Sequence, residues 1–288
     1  MNILVTGANG QLGMELQELA KKYPNLNFHF TDIHNLDITN LQALKDFSEE
    51  NNFDFLINCA AYTAVDKAED EPEKARLLNI TAVEYLAEIC NLKNATLVHI
   101  STDYVFGGQG YKPYKETDKT APQSTYAITK LGAEEAVKTI SKSGIIVRTS
   151  WLYSTYGHNF LKTMLRLGKE RDELKVVFDQ IGTPTYATDL AKAILTVVIA
   201  GKQSDNPVEI YHYSNEGVCS WYDFALAIME ESGIKCKVIP ITTKEYPLPA
   251  ERPFYSVLDK SLIKKHFDIE IPHWRESMKS CLQKLNER

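Results

Sequence analysis

Tyr126 and Lys130 stand four positions apart in the stretch STYAITKLG at 124–132. That spacing puts both on one face of a helix. A phenol is a weak acid at neutral pH (its ordinary pKa is about 10). An ammonium one turn away favours the phenolate, so the pair reads as a tyrosine tuned to deliver a proton. The plainer alternative is two residues that merely share a helix face. A second stretch, VTGANGQLG at 5–13, places Gly7, Gly10 and Gly13 where an apolar run gives way to a helical pattern, with Asn9 in the same turn. Glycine there permits a tight turn and a close approach of backbone to a pyrophosphate, which the free N–H groups of the helix N-terminus attract. Asp32 follows the second apolar run, at the place where a carboxylate bonds the adenosine ribose hydroxyls. A carboxylate repels a 2′-phosphate, so NADH is favoured, with NADPH left open.

Other residues with chemical potential also follow apolar runs. Ala60, Ala61, Tyr62 and Thr63 follow FDFLIN, and Thr102, Asp103 and Val105 follow ATLVHIS. A hydroxyl such as that of Thr102 can hold a carbonyl beside the tyrosine; strand-end capping is its structural alternative. Leu36, Asp37 and Ile38 are placed to flank an adenine. Trp151, after GIIVRTS, offers a flat apolar face to a sugar. Arg252, in ERPF, is placed to meet nucleotide phosphates.

These residues need a scaffold that brings strand ends together. NILVTG, NFHFTD, FDFLINCA, ATLVHISTD and GIIVRTSW read as five buried strands separated by helical patterns, among them one long helix across KARLLNITAVEYLAEICNLK. Strands alternating with helices imply an α/β fold with a doubly wound parallel sheet of the Rossmann type, whose ligands lie beyond the carboxyl ends of the strands. The expected division is a dinucleotide-binding domain over 1–152 and a smaller, interleaved substrate-binding region over 153–288. A segment near 184–212, containing the apolar TDLAKAILTVVIAG, is expected to pack back on the sheet.

Composition narrows the class. The 288 residues are 44% hydrophobic and 24% charged, with a formal net charge of −6. That balance suits a soluble globular chain and disfavours a nucleic-acid partner. No apolar run approaches the roughly 20 residues of a membrane span. Five scattered cysteines without a CxxC pair suggest free thiols and a cytoplasmic location.

In order along the chain, TGANGQLG, NCAAYTAVDKAE, STDYVFGG, YAITK, RTSWLY, DQIGTPT and RPFYSVLDKS resemble the dTDP-4-dehydrorhamnose reductase family of the extended short-chain dehydrogenase/reductase superfamily. The glycine turn and YxxxK mark only the superfamily; AAYTAVDKAE, STDYVF with RTSW, and DQIGTPT are the specific part. The resemblance implies reduction of the C4 ketone of a dTDP-linked keto-sugar by NADH or NADPH. It implies Tyr126 as proton donor, Lys130 as its tuner and nicotinamide-ribose contact, and Thr102 as partner at the carbonyl. It places Gly10, Gln11 and Leu12 at the pyrophosphate, Asp32, Asp37 and Ile38 at the adenosine, and Ala61, Tyr62 and Thr63 at the middle of the cofactor. Thr102, Asp103 and Trp151 are implied at the sugar.

Two departures stand out. Some members bind magnesium at a dimer interface through glutamates, whereas TYATDLA offers Asp189 and no glutamate, so neither the metal nor a homodimer rather than a monomer follows. Gly108 replaces a commoner aspartate. Two other readings remain at this point: a nucleotide-sugar epimerase or dehydratase, disfavoured by Tyr104 where a dehydratase has an acid, and a non-catalytic NADP-binding regulatory subunit, disfavoured by Trp151.

Overall fold

The computed structural model describes residues 1–287. Six strands form one parallel sheet: β1 (Asn2–Thr6), β2 (Asn27–Phe30), β3 (Phe55–Asn58), β4 (Thr96–Thr102), β5 (Gly144–Thr149) and β6 (Val208–His212). Their spatial order is β6-β5-β4-β3-β1-β2. The order reverses at β1, which opens a crevice between the carboxyl ends of β1 and β3. β6 is a strand beyond the five that periodicity indicates.

Both faces of the sheet are covered, which is why its strands are nearly continuous apolar runs. Ile3 and Val5 face one layer and Leu4 the other, as the two-residue period of a strand requires. The first layer contains α1 (Gln11–Ala20), which packs with the helix Ala187–Ala200; Leu12, Leu16 and Leu19 meet Leu190, Ile194 and Val197 there. The second layer contains α2 (Leu41–Glu50), α3 (Ala82–Lys93) and α4 (Thr125–Ile140). The apolar segment Ala187–Ala200 thus lies against the sheet's own core, and β6 follows it into the sheet.

A separate apolar cluster unites Leu161, Met164, Leu174, Phe224, Ile228, Trp274 and Met278. Around it are the parallel pair Glu173–Val177 with Lys237–Ile241 and the helix Trp221–Ser232, which opens on a capping box between Ser220 and Asp223.

The long helix expected across 74–93 is interrupted. Residues Leu77–Thr81 form a π-helical turn before α3. Such turns often mark functional sites, and this one turns Asn79 inward to full burial.

Candidate active site

A cavity of about 1010 Å³ opens at the carboxyl ends of the strands. It is lined by Gly7, Gly10, Gln11, Leu12, Asp32, Asp37, Ile38, Ala60, Ala61, Tyr62, Thr63, Thr102, Asp103, Tyr126, Lys130 and Trp151. One cleft therefore collects residues that chain order keeps far apart, from Gly7 at the first strand to Trp151 and beyond.

At one end the wall is mostly backbone. Gly7 has φ +68°, and a Cβ there would lie 2.5 Å from Ala60 N, so only glycine fits. Gly10 caps α1 without a side-chain cap bond, so the first N–H groups of that helix are left to meet an anion. Gly13 is buried inside α1 and Asn9 is exposed; neither is among the residues that line the cavity. Their service is indirect: Gly13 packs against the Gly7 turn, and the Asn9 N–H donates to Asp32 Oδ2 at 2.9 Å. Asp32 also accepts from Ile33 N at 2.8 Å. It is at once a turn cap and a carboxylate on the cleft wall. Asn79, which sequence periodicity does not single out, accepts from Tyr62 N at 2.8 Å and donates to Thr129 Oγ1 at 3.0 Å. It thereby pins the Ala61–Thr63 loop to α4. These features fit a dinucleotide: a glycine cradle, free helix N–H groups and a ribose-side carboxylate.

Tyr126 and Lys130 rise from the first two turns of α4, whose N-cap Ser124 accepts from Ala127 N. The helix is anchored by a buried ion pair. Arg148 on β5 donates to Glu134 at 2.8 and 2.7 Å through two nitrogens, and Ser101 Oγ donates to the same carboxylate at 2.6 Å. The bidentate geometry fixes the rotation of α4 against β4 and β5.

Burial dominates the electrostatics of the Tyr126 phenol and of Lys130. Burial pushes that phenol up to about 12, Asp103 adds to the rise, and a hydrogen bond with Thr102 opposes it. Burial likewise lowers the Lys130 ammonium to about 8. Lys130 Nζ donates to Ile100 O at 2.7 Å and lies 3.2 Å from His99 Nε2. Asp103 is buried, and burial pushes its carboxyl up to about 7. Its Oδ1 accepts from Thr102 Oγ1 at 3.1 Å, while Oδ2 has no hydrogen-bond partner among the described residues.

The opposite end of the cleft is built from side chains of remote segments. Trp151 has φ +46°, a strained conformation for a bulky residue. Its indole is stacked on Trp221, centroids 3.6 Å apart and planes 8° from parallel. A Cβ at Gly182 would lie 2.6 Å from Trp151 Cε2. So the glycine of DQIGTPT makes room for the tryptophan of RTSW. Trp151 lines the cavity with one indole face covered by Trp221. Trp221, from outside the quoted motifs, joins it on the cavity wall.

Two further residues singled out in the sequence lie outside the cavity lining. Val105 is fully buried with Phe106 and Leu258 and does not reach the cavity; it supports the loop instead of touching a ligand. Arg252 lies outside the cavity lining, and its guanidinium is engaged by Asp66 at 2.6 and 2.7 Å. Those bonds hold the Asp66 carboxyl below the usual range. Asp189, considered above for a metal, accepts from Asn215 Nδ2 at 3.0 Å and Ser277 Oγ at 2.6 Å. Among the described residues no group of three His, Cys, Asp or Glu could hold a metal ion, and no helix is long and apolar enough to cross a membrane.

A doubly wound parallel sheet, a glycine turn after its first strand and a Tyr–Lys pair facing the same cleft define an oxidoreductase of the extended short-chain dehydrogenase/reductase class. Residues 1–287 match the family described as RmlD substrate binding domain. The spore coat polysaccharide biosynthesis protein SpsK of Bacillus subtilis is 42% identical, over 98% of this chain and 96% of its own. A dTDP-4-dehydrorhamnose reductase structure from Clostridium acetobutylicum is 44% identical with a TM-score of 0.94, covering 99% of this chain and 100% of that one. Another, from Bacillus anthracis in complex with NADP, is 39% identical with a TM-score of 0.93, covering 98% and 99%. The chain belongs to this family, that of the dTDP-4-dehydrorhamnose reductases.

Proposed function

We propose that the chain reduces the C4 ketone of dTDP-4-dehydro-L-rhamnose to dTDP-L-rhamnose with NADH or NADPH, in the cytoplasm, for polysaccharide biosynthesis. The observation that carries this reading is the single cleft that joins the glycine turn to Thr102, Tyr126 and Trp151. Family membership supports the substrate, and five free thiols support the compartment.

The bound dinucleotide supplies the hydride. The chain's own residues hold it: Gly7, Gly10, Gln11 and Leu12 at the pyrophosphate, Asp32, Asp37 and Ile38 at the adenosine, and Ala60, Ala61, Tyr62 and Thr63 between. Thr102 Oγ1 holds the sugar's carbonyl oxygen, and Tyr126 gives its proton to that oxygen as negative charge develops. A phenol at about 12 gives up its proton only once that oxygen has gained alkoxide character, a state that the Thr102 contact favours. Trp151, Trp221 and Asp103 wall the sugar. Arg252 is assigned to the nucleotide phosphates, which must compete with Asp66 for it.

The test is oxidation of NADH and of NADPH followed by absorbance with dTDP-4-dehydrorhamnose. Turnover with either supports the reading. Cofactor binding without turnover would replace it with the regulatory-subunit reading.

A further inference from the structure

We propose that Glu69 is a positioning residue: its carboxylate clamps the first turn of α4 and, together with Asp66 on the same short helix, fixes where Tyr126 stands in the cleft. The clamp is a matter of geometry alone; its effect on turnover rests on the function proposed above.

The stretch AAYTAVDKAE is among the specific ones in the chain, yet its two charged acids, Asp66 and Glu69, have no place in the cavity lining. They lie three positions apart on the helix Val65–Asp70, which sets them side by side on its surface. Six residues are too few for a helix to hold itself together in water. This one is fixed by what it touches. Its Ala68 is fully buried. Asp66 accepts from two guanidinium nitrogens of Arg252 at 2.6 and 2.7 Å and from Ala250 N–H at 3.2 Å. The forked bond sets orientation as well as distance.

Glu69 serves α4. Its Oε1 accepts from Thr125 N–H at 2.8 Å and its Oε2 from Thr125 Oγ1 at 2.7 Å. The helix already has a local cap, since Ser124 Oγ accepts from Ala127 N–H. Glu69 comes from 56 positions away and takes a donor that Ser124 leaves. A carboxylate there also meets the positive end of the helix dipole. Thr125 directly precedes Tyr126, so the clamp acts on the backbone that carries the phenol.

The second hold is on the ring. Tyr104 meets Tyr126 edge to face, centroids 5.9 Å apart and planes at 79°. The Arg252 guanidinium donates to the Tyr104 hydroxyl as well as to Asp66. The contacts therefore close on themselves: Glu69 to Thr125, Tyr126 to Tyr104, and Arg252 to Asp66. One short helix holds Tyr126 at its backbone and at its ring. Proton transfer needs the phenol aligned with the accepting oxygen, and a small misplacement of a reacting group costs much rate.

The experiment is steady-state kinetics with dTDP-4-dehydrorhamnose, reading kcat against KM. Glu69→Ala should lower kcat by about tenfold to a hundredfold. Sugar-nucleotide KM and cofactor affinity should stay within about twofold, because only the proton donor is displaced. Glu69→Gln keeps an acceptor oxygen for Thr125 and should recover most of the loss. Should Glu69→Ala not fold, Thr125→Val removes the hydroxyl from the other side of the contact and should lower kcat in the same pattern by a few-fold. A wild-type kcat in either folded variant, or a KM that rises as far as kcat falls, overturns the proposal.

Asp66→Asn tests whether the two acids act as one. It should lower kcat by a few-fold, and the double variant with Glu69→Ala should lose less than the product of the two single losses. Losses that multiply would make the acids independent and overturn the shared clamp. Amide hydrogen exchange of the full chain without substrate reads the clamp apart from turnover. Thr125 N–H should exchange faster in Glu69→Ala while the amides of the sheet stay protected. Unchanged exchange at Thr125 overturns the proposal even where kcat falls. Should the wild type not turn over the sugar, the function falls, and the exchange result alone decides the clamp.

Discussion

The two ends of the cleft are made of different material. Where the dinucleotide is assigned, the wall is largely backbone: the Gly7–Gly10 turn, the open N-terminus of α1 and the Ala61–Thr63 loop pinned by Asn79. Where the sugar is assigned, it is a stack of side chains: Trp151 on Trp221, seated against Gly182, with Thr102 and Asp103 beneath Tyr126's helix. A backbone site recognises what every dinucleotide shares, a diphosphate. A side-chain site recognises one shape, and it changes whenever a supporting residue does. Cofactor binding should therefore tolerate lesions at the sugar end, and sugar binding should not.

The harshest test is Tyr126→Phe, which keeps the ring and removes only the transferable proton. Turnover should fall roughly 10²–10⁴-fold while cofactor affinity, by fluorescence titration, stays within about twofold. A loss in both would mean that the two ends are not separable at α4. Next in size is Glu134→Ala, which leaves the Arg148 guanidinium buried and unpaired. Denaturant unfolding should show a loss of about 3–5 kcal/mol; a loss under about 1 kcal/mol would show that the ion pair does not anchor α4.

Asp103→Asn follows, and its sign depends on pH. A folded carboxyl near 7 exceeds its unfolded value near 4, so between those values the native state binds the extra proton. Wild-type stability should thus fall as pH rises from about 4 to about 7 and level off above. The amide of the variant cannot ionise, so thermal melts should show Asp103→Asn gaining on the wild type at about pH 8 and matching it near pH 4. Equal differences at both values would mean that Asp103 ionises normally.

Gly182→Ala should raise the sugar-nucleotide KM by about tenfold, or about 1.4 kcal/mol, with kcat and cofactor affinity little changed, because the added methyl displaces Trp151 and the neighbouring Ser256 hydroxyl and nothing at the cofactor end. A cofactor defect here would blur the distinction between the ends. The smallest effect belongs to Asp32→Ala. It should raise kcat/KM for NADPH relative to NADH by a few-fold, since Asp32 is already partly satisfied by Asn9 and Ile33. An unmoved preference would assign the 2′-position to other residues.

The two ends also differ in how readily the sequence discloses them. Gly7, Gly10 and Asp32 lie within one strand–helix–strand unit, so spacing alone reveals them. Tyr126 and Lys130 share one helix and are equally plain. Trp221 and Gly182 are different: each is ordinary in its own segment, and only packing against Trp151 gives it a role. Arg252 is legible as a cation near phosphates, but not as the partner of Asp66, 186 positions away. Val105 follows a strand end like its neighbours Thr102 and Asp103, yet the loop turns it into an apolar cluster. Spacing cannot report which way a side chain points after a strand has ended.

By itself the sequence determined the alternation of strand and helix, the glycine turn, the Tyr–Lys pair and the family. These are local patterns, set by the periods of strand and helix and by what a Cβ forbids. The tertiary structure alone decided the charges. Tyr126 pushed up to about 12, Lys130 lowered to about 8 and Asp103 raised to about 7 are consequences of burial, which no spacing encodes. Desolvation and hydrogen-bond direction depend on every neighbour at once, and those neighbours meet only when the sheet has closed.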